Sequence, residues 1–138
     1  LKDNEVVWFG CDTGKYGIRE EGIWDLDIYD YETPFSLTFS MSKGNMLDYC
    51  QSSMGHAMVI TGANFVDENI IDKWKIENSW GDEKGQKGYF IMSDKWFDSY
   101  VYQACINKKY LSPVQQKMLK MEKIVLDPWD PMGSLALF

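Results

Sequence analysis

The 138-residue chain is 45% apolar and 15% aromatic, with six Trp and eight Tyr, enough for one domain with a real core and too aromatic for a disordered segment. Its net charge is −7 and its pI about 4.6, which argues against nucleic acid as a partner because phosphate binding needs a basic patch. No run of about 18 apolar residues occurs, so no membrane span is predicted.

The chain opens on Leu1 and reads as a buried strand by residues 6–9 (Val, Val, Trp, Phe). Such an opening suggests a fragment or a processed product, with trimming of a short tag as the bland alternative. Gly10 and Gly14 break the run, and residues 11–34, rich in Gly, Asp, Tyr and Pro, read as irregular loop with turns. Over residues 35–42, Phe35, Leu37, Phe39 and Met41 alternate with Ser36, Thr38, Ser40 and Ser42, a period of two that predicts a half-buried strand. Residues 45–54 are ambiguous and include a short helix as one reading.

Residues 56–65 (HAMVITGANF) predict a strand with a bulge or bend at Gly62. A polar loop follows at 67–72. Trp74, Ile76 and Asn78 then fall on one face of the next strand. Residues 81–88 form a Gly-rich turn, 89–92 another strand, and Ser93 suits the N-cap of a short helix, DKWFDSY. Residues 101–106 read as a further, buried strand. Pro113 suits a helix start, with QQKMLKMEK continuing it. Two prolines hold the ending, DPWDPMGSLALF, extended. No internal repeat is present. The layout is α+β: a domain of antiparallel strands and short helices over residues 1–112, then a helix and extended arm over 113–138.

Three cysteines, Cys11, Cys50 and Cys105, make an odd count without a CxxC pair. They argue against a disulfide framework and fit a reducing, cytosolic setting. A single histidine, His56, excludes most His-based zinc sites within this chain, and no metal or cofactor is assigned. A lone His is more often structural than catalytic, although His56 is the only side chain here whose unperturbed pKa lies near neutrality. Asn78 opens Asn-Ser-Trp-Gly. Its carboxamide can hold one imidazole nitrogen and aim the other at a nucleophile, with Trp80 covering the bond. Asn, Ser and Gly are equally turn residues, and spacing alone leaves both readings open.

Gly-His-Ala-Met-Val, then Asn-Ser-Trp-Gly 22 residues after His56, then Gly-Tyr-Phe, resembles papain-like cysteine peptidases. WFGCD at 8–12, LDY at 47–49, WKIENSWG at 74–81, WFDSY at 96–100 and PWDPMG at 128–133 narrow the resemblance to the bleomycin hydrolase and aminopeptidase C family, in family order over essentially the whole chain. The resemblance implies a cysteine aminopeptidase acting on peptide N-termini. It further implies a papain-like fold of which this is the β-rich, barrel-like half, and a cytoplasmic homo-oligomer, a hexamer. It makes His56 and Asn78 the catalytic pair, roughly 2.6–3.5 Å apart, with Trp80 in support. It also makes the C-terminal arm part of the cleft, where Ala136 and the terminal carboxylate of Phe138 would meet the substrate's ammonium and Trp129 would anchor the arm.

The family's Cys-Trp nucleophile motif is absent. The nucleophile is therefore expected on a missing N-terminal half, and this chain alone is expected to be inactive. A degenerate relative serving as a binding or assembly module is the alternative. Cys11 matches a family Cys that is not the nucleophile, Cys50 stands where the family has a small residue, and Gly55 replaces an expected Thr, loosening the wall beside His56. The strand face of Trp74 and Ile76 is expected to be left exposed where the missing half would pack.

Overall fold

Alternation along the strands decides which side of the sheet is covered. The computed structural model describes residues 1–131. In chain order it holds β1 (Val7–Cys11), β2 (Gly17–Ile18), β3 (Ile23–Trp24), a 3-10 turn (Leu26–Ile28), α1 (Glu32–Phe35) and α2 (Lys43–Asp48). The long hairpin of β4 (His56–Asp67) and β5 (Ile70–Glu77) follows, then β6 (Tyr89–Ser93), α3 (Asp94–Tyr100), β7 (Val101–Cys105), a second 3-10 turn (Lys108–Tyr110) and α4 (Pro113–Met118). One sheet takes all seven strands in the order β2-β3-β6-β5-β4-β1-β7. Its neighbours are antiparallel except β3 and β6, which run parallel.

The register stacks apolar residues across the sheet. Phe9 faces Met58, Ile60 faces Ile76, Ile76 faces Phe90, and Trp24 and Trp74 face Met92. Phe9, Met58, Ile60, Ile76, Phe90 and Met92 are buried, each such side chain contributing roughly 1.5–3 kcal/mol by leaving water. α3 covers this face with Trp96 and Tyr100. The Ser93 hydroxyl caps α3 by accepting from the Trp96 N–H, which explains why the helix starts there.

Indole donors fasten the irregular stretch after β1 to this core. Trp96 Nε1–H donates to the Lys15 carbonyl at 2.9 Å and Trp24 Nε1–H to the Thr13 carbonyl at 3.4 Å. A large ring is thereby buried with its polar atom satisfied. Gly22 (φ +73°) and Gly85 (φ +60°) let two turns meet backbone to backbone, since a Cβ at Gly22 would stand 2.7 Å from the Gly85 Cα.

Several sequence expectations give way here. Residues 35–42 form no strand: Ser36 turns left-handed (φ +48°) and closes α1, and the Phe39 N–H bonds the Glu32 carboxylate. Period two sorts side chains onto faces, but a strand also needs a partner for its backbone, and none is offered. Phe35, Leu37, Phe39 and Met41 are exposed. The loop expected at 67–72 shrinks to a two-residue turn at 68 and 69, because Asp67 pairs with Ile70 and Glu-Asn is ordinary tight-turn chemistry. α4 stops at Met118 with no buried residue, as a short helix without a packed face must.

The face of Trp74 and Ile76 is the covered one. Ile76 is buried, and Trp74 stacks on Phe97 and donates to Asp94 at 2.8 Å. Cys105 is exposed, because only the start of β7 lies under the core. Trp129 is 80% exposed. The expectations for Gly133, Ala136 and Phe138 lie outside the described residues.

Candidate active site

The sheet brings His56 and Asn78 together. His56 starts β4 opposite Cys11 of β1, and side chains at 56, 58 and 60 share a face. Asn78 follows β5 on the face of Ile76. Continuing the Val59–Glu77 pairing by one step sets Asn78 against Met58, so His56 is its diagonal neighbour, within reach of long side chains. His56 Nε2 lies 2.8 Å from Asn78 Oδ1.

A second bond fixes the direction of the first. The Ser79 N–H donates to the same Asn78 Oδ1 at 2.8 Å. An atom accepting from a backbone amide is the carbonyl oxygen, so the carboxamide cannot be flipped, and His56 Nε2 must be the donor. The neutral ring then carries its proton on Nε2 and its lone pair on Nδ1. Asn78 is held in turn by its own N–H donating to the Gly88 carbonyl at 3.1 Å, which ties it to the Gly-rich turn. Asn78 Nδ2 is buried without a hydrogen-bond partner among the described residues.

Trp80 stacks on the imidazole, with ring centroids 4.9 Å apart and planes at 28°. Phe90 meets Trp80 edge-on at 5.8 Å, and the Arg19 guanidinium lies over it at 4.9 Å. Arg19 had no signal in the sequence, where Gly-Ile-Arg-Glu-Glu-Gly reads as a solvated loop. A Cβ at Gly55 would meet nothing within 4 Å, so the backbone just before His56 is open on that side.

Cys11 does not resemble an activated nucleophile. Burial, with the neighbouring Asp12 charge adding to it, pushes the Cys11 thiol up to about 12, the opposite of activation. Cys11 Sγ instead lies 3.8 Å from the His56 carbonyl oxygen as a weak donor. Cys50 and Cys105 are free and exposed. Cys50 closes α2 with a left-handed backbone, φ +53°.

The sequence profile of the Peptidase C1-like family matches residues 1–133. The chain is 54% identical over 139 aligned residues to an aminopeptidase C of Lactobacillus delbrueckii subsp. lactis, covering 99% of this chain and 31% of that protein. It is 45% identical to the bleomycin hydrolase of Gallus gallus, covering 99% of this chain and 30% of that one. A crystal structure of PepW from Lactobacillus rhamnosis HN001 superposes with a TM-score of 0.86 at 47% identity, over 96% of this chain and 30% of that one. The chain thus spans just under a third of the length of these relatives, and its mixed sheet with few short helices is the β-rich half of a papain-like fold.

Proposed function

This chain belongs to the Peptidase C1-like family, and we propose that it supplies the general base and its orienting carboxamide to a cysteine-type aminopeptidase. The observation that carries the proposal is the doubly fixed Asn78 Oδ1, which holds His56 as the Nε2–H tautomer. The printed names of the relatives, aminopeptidase C and bleomycin hydrolase, support the choice of reaction. Peptides with free N-termini are the proposed substrates, and cytosolic residence and homo-oligomeric assembly belong to the same proposal.

In this mechanism a thiol from outside the chain gives its proton to His56 Nδ1, and the thiolate attacks the scissile carbonyl carbon. The imidazolium, steadied through Nε2–H by Asn78, returns that proton to the leaving amine as the C–N bond breaks. His56 next takes a proton from water. The water oxygen attacks the thioester, and the imidazolium restores the thiol as the former N-terminal residue leaves as a free amino acid, the shortened peptide having left already as the amine. Trp80 covers the Nε2 side against competing water.

The test is hydrolysis of an aminoacyl fluorogenic substrate by the protein containing this chain together with a Cys-bearing segment. His56→Gln should lower kcat by at least about a thousandfold. A His56→Gln protein as active as the parent would overturn the proposal.

A further inference from the structure

One buried hydroxyl ties together the ends of three chain segments around His56. Ser52, 4% exposed, lies four residues before His56. Its hydroxyl donates to Asp12 Oδ2 at 2.8 Å and accepts from the Tyr102 phenol at 2.6 Å. Asp12 follows Cys11, the cross-strand partner of His56, and Tyr102 follows Val101, the partner of Cys11 on the other side. The same carboxylate oxygen receives the Ser53 N–H at 3.4 Å, while the Gly55 N–H donates to the Cys11 carbonyl at 3.1 Å. Ser53 and Gly55 are exposed, and on the side of α2 the Ser52 N–H donates to the Met46 carbonyl at 3.1 Å.

We propose that the Tyr102–Ser52–Asp12 relay is a positioning device, which sets the direction of the His56 imidazole by fixing the loop that leads into it. The inference rests on the general-base reading of His56. Its geometry follows from the chemistry of one oxygen. A hydroxyl has a single proton to give, the Asp12 carboxylate can only accept, and the phenol therefore donates. The direction of both bonds is settled, and a charge-assisted bond anchors the loop to the end of β1. Loosening that anchor lets the first residues of β4 fray, and a displacement of the order of 1 Å at a catalytic group costs up to about a hundredfold in rate. Ser52 and Tyr102 meet at one atom, so their losses should not add.

Two measurements test the relay. In the 138-residue chain His56 is the only histidine, so two-bond 1H–15N spectra report a single imidazole. The parent should show the Nε2–H tautomer. Ser52→Ala and Tyr102→Phe should show a mixture of tautomers or exchange broadening. In the protein completed by its Cys-bearing segment, each of the two variants should lower kcat about tenfold with KM within about twofold, and the double variant should be no slower than Ser52→Ala alone. Tyr102→Phe removes only a hydroxyl and guards against a folding defect in Ser52→Ala. Shifted His56 signals in variants of a protein whose parent has no peptidase activity would sink the proposed reaction and leave the relay standing. Folded variants with the parent's His56 spectrum and the parent's kcat would overturn the relay.

Discussion

Trp80 lies on the His56 imidazole at 4.9 Å between centroids, and Arg19 lies over the same indole. A ring stacked this way keeps water from the Nε2–H···Oδ1 bond and limits rotation of the imidazole about its own χ2. Trp80→Ala should therefore lower kcat/KM of the completed enzyme by up to about a hundredfold, the cost of misplacing a reacting group by about 1 Å. Trp80→Phe should recover part of the loss. Steady-state kinetics on the three proteins decides this, and equal kcat/KM values would show that the stack is packing only.

Asn78 is a cleaner target, because Asn78→Ala removes the carboxamide without touching the strand before it. Its Oδ1 holds His56 and the Ser79 N–H at once, so both lose their acceptor. We expect kcat to fall about a hundredfold or more, since a ring in the wrong tautomer cannot take the proton it is offered. Single-histidine NMR should show the Nδ1–H form gaining population. Retention of the Nε2–H tautomer would mean that another acceptor holds the ring.

These two residues were legible in the sequence because their motifs are local and their strands are regular. The period of β5 sets Asn78 on the face of Trp74 and Ile76, His56 opens the apolar run of β4, and the family resemblance supplies the pairing that spacing alone leaves open. What surrounds them was not legible. Asp12 directly follows β1 and is held by its N–H to the Tyr100 carbonyl at 3.1 Å, while Arg19 lies on the stretch that the Trp24 and Trp96 indoles fasten at the Thr13 and Lys15 carbonyls, targets which no residue type announces. Residues 35–42 fail in the other direction: their alternation is stricter than that of β4, whose pairing with β5 shifts register three times, but a strand depends on a neighbour's backbone as much as on its own side chains. The Trp74–Ile76 face reads in the sequence as one left bare by a missing half, and the sequence does not announce that α3 folds back to cover it.

Cys50 shows a local cost in the same neighbourhood. After α2, the Gln51 N–H returns to the Met46 carbonyl at 2.8 Å and the Cys50 N–H to the Leu47 carbonyl at 3.0 Å. That bond pair places Cys50 at the left-handed position following the helix cap, where glycine is favoured, and its φ is +53°. The left-handed conformation costs an ordinary residue about 1–2 kcal/mol, offset in part by the greater chain entropy that glycine loses on folding. Cys50→Gly should stabilise the fold by about 1 kcal/mol, or about 3 °C in Tm for a chain of this size. A lower Tm by calorimetry would mean that the Cys50 side chain makes a contact worth more than the strain.

The buried thiol sets how stability depends on alkaline pH. Cys11 is raised from an ordinary 9.0 to about 12, chiefly by burial and further by Asp12. Tyr100 is raised from 10.0 to about 12, again chiefly by burial, with Tyr16 next. Both groups keep their protons in the folded state at pH values where the unfolded chain has lost them. The unfolded state then binds fewer protons, so stability falls as pH rises. The contribution is intact below pH 9 and is lost progressively between 9 and 12, first through Cys11 and then, above 10, also through Tyr100. Urea unfolding midpoints measured from pH 7 to 11 should decline along this course. Cys11→Ala should start lower, because it opens a small cavity under β1, yet decline less steeply between pH 9 and 10, and Tyr100→Phe should reduce the decline above pH 10, where Tyr102, raised chiefly by burial, also contributes. In the native protein at pH 8 a thiol reagent should modify Cys50 and Cys105 quickly and reach Cys11 only on unfolding. Rapid labelling of Cys11 under native conditions, or the same pH slope in Cys11→Ala as in the parent, would show that this thiol is neither sealed nor shifted.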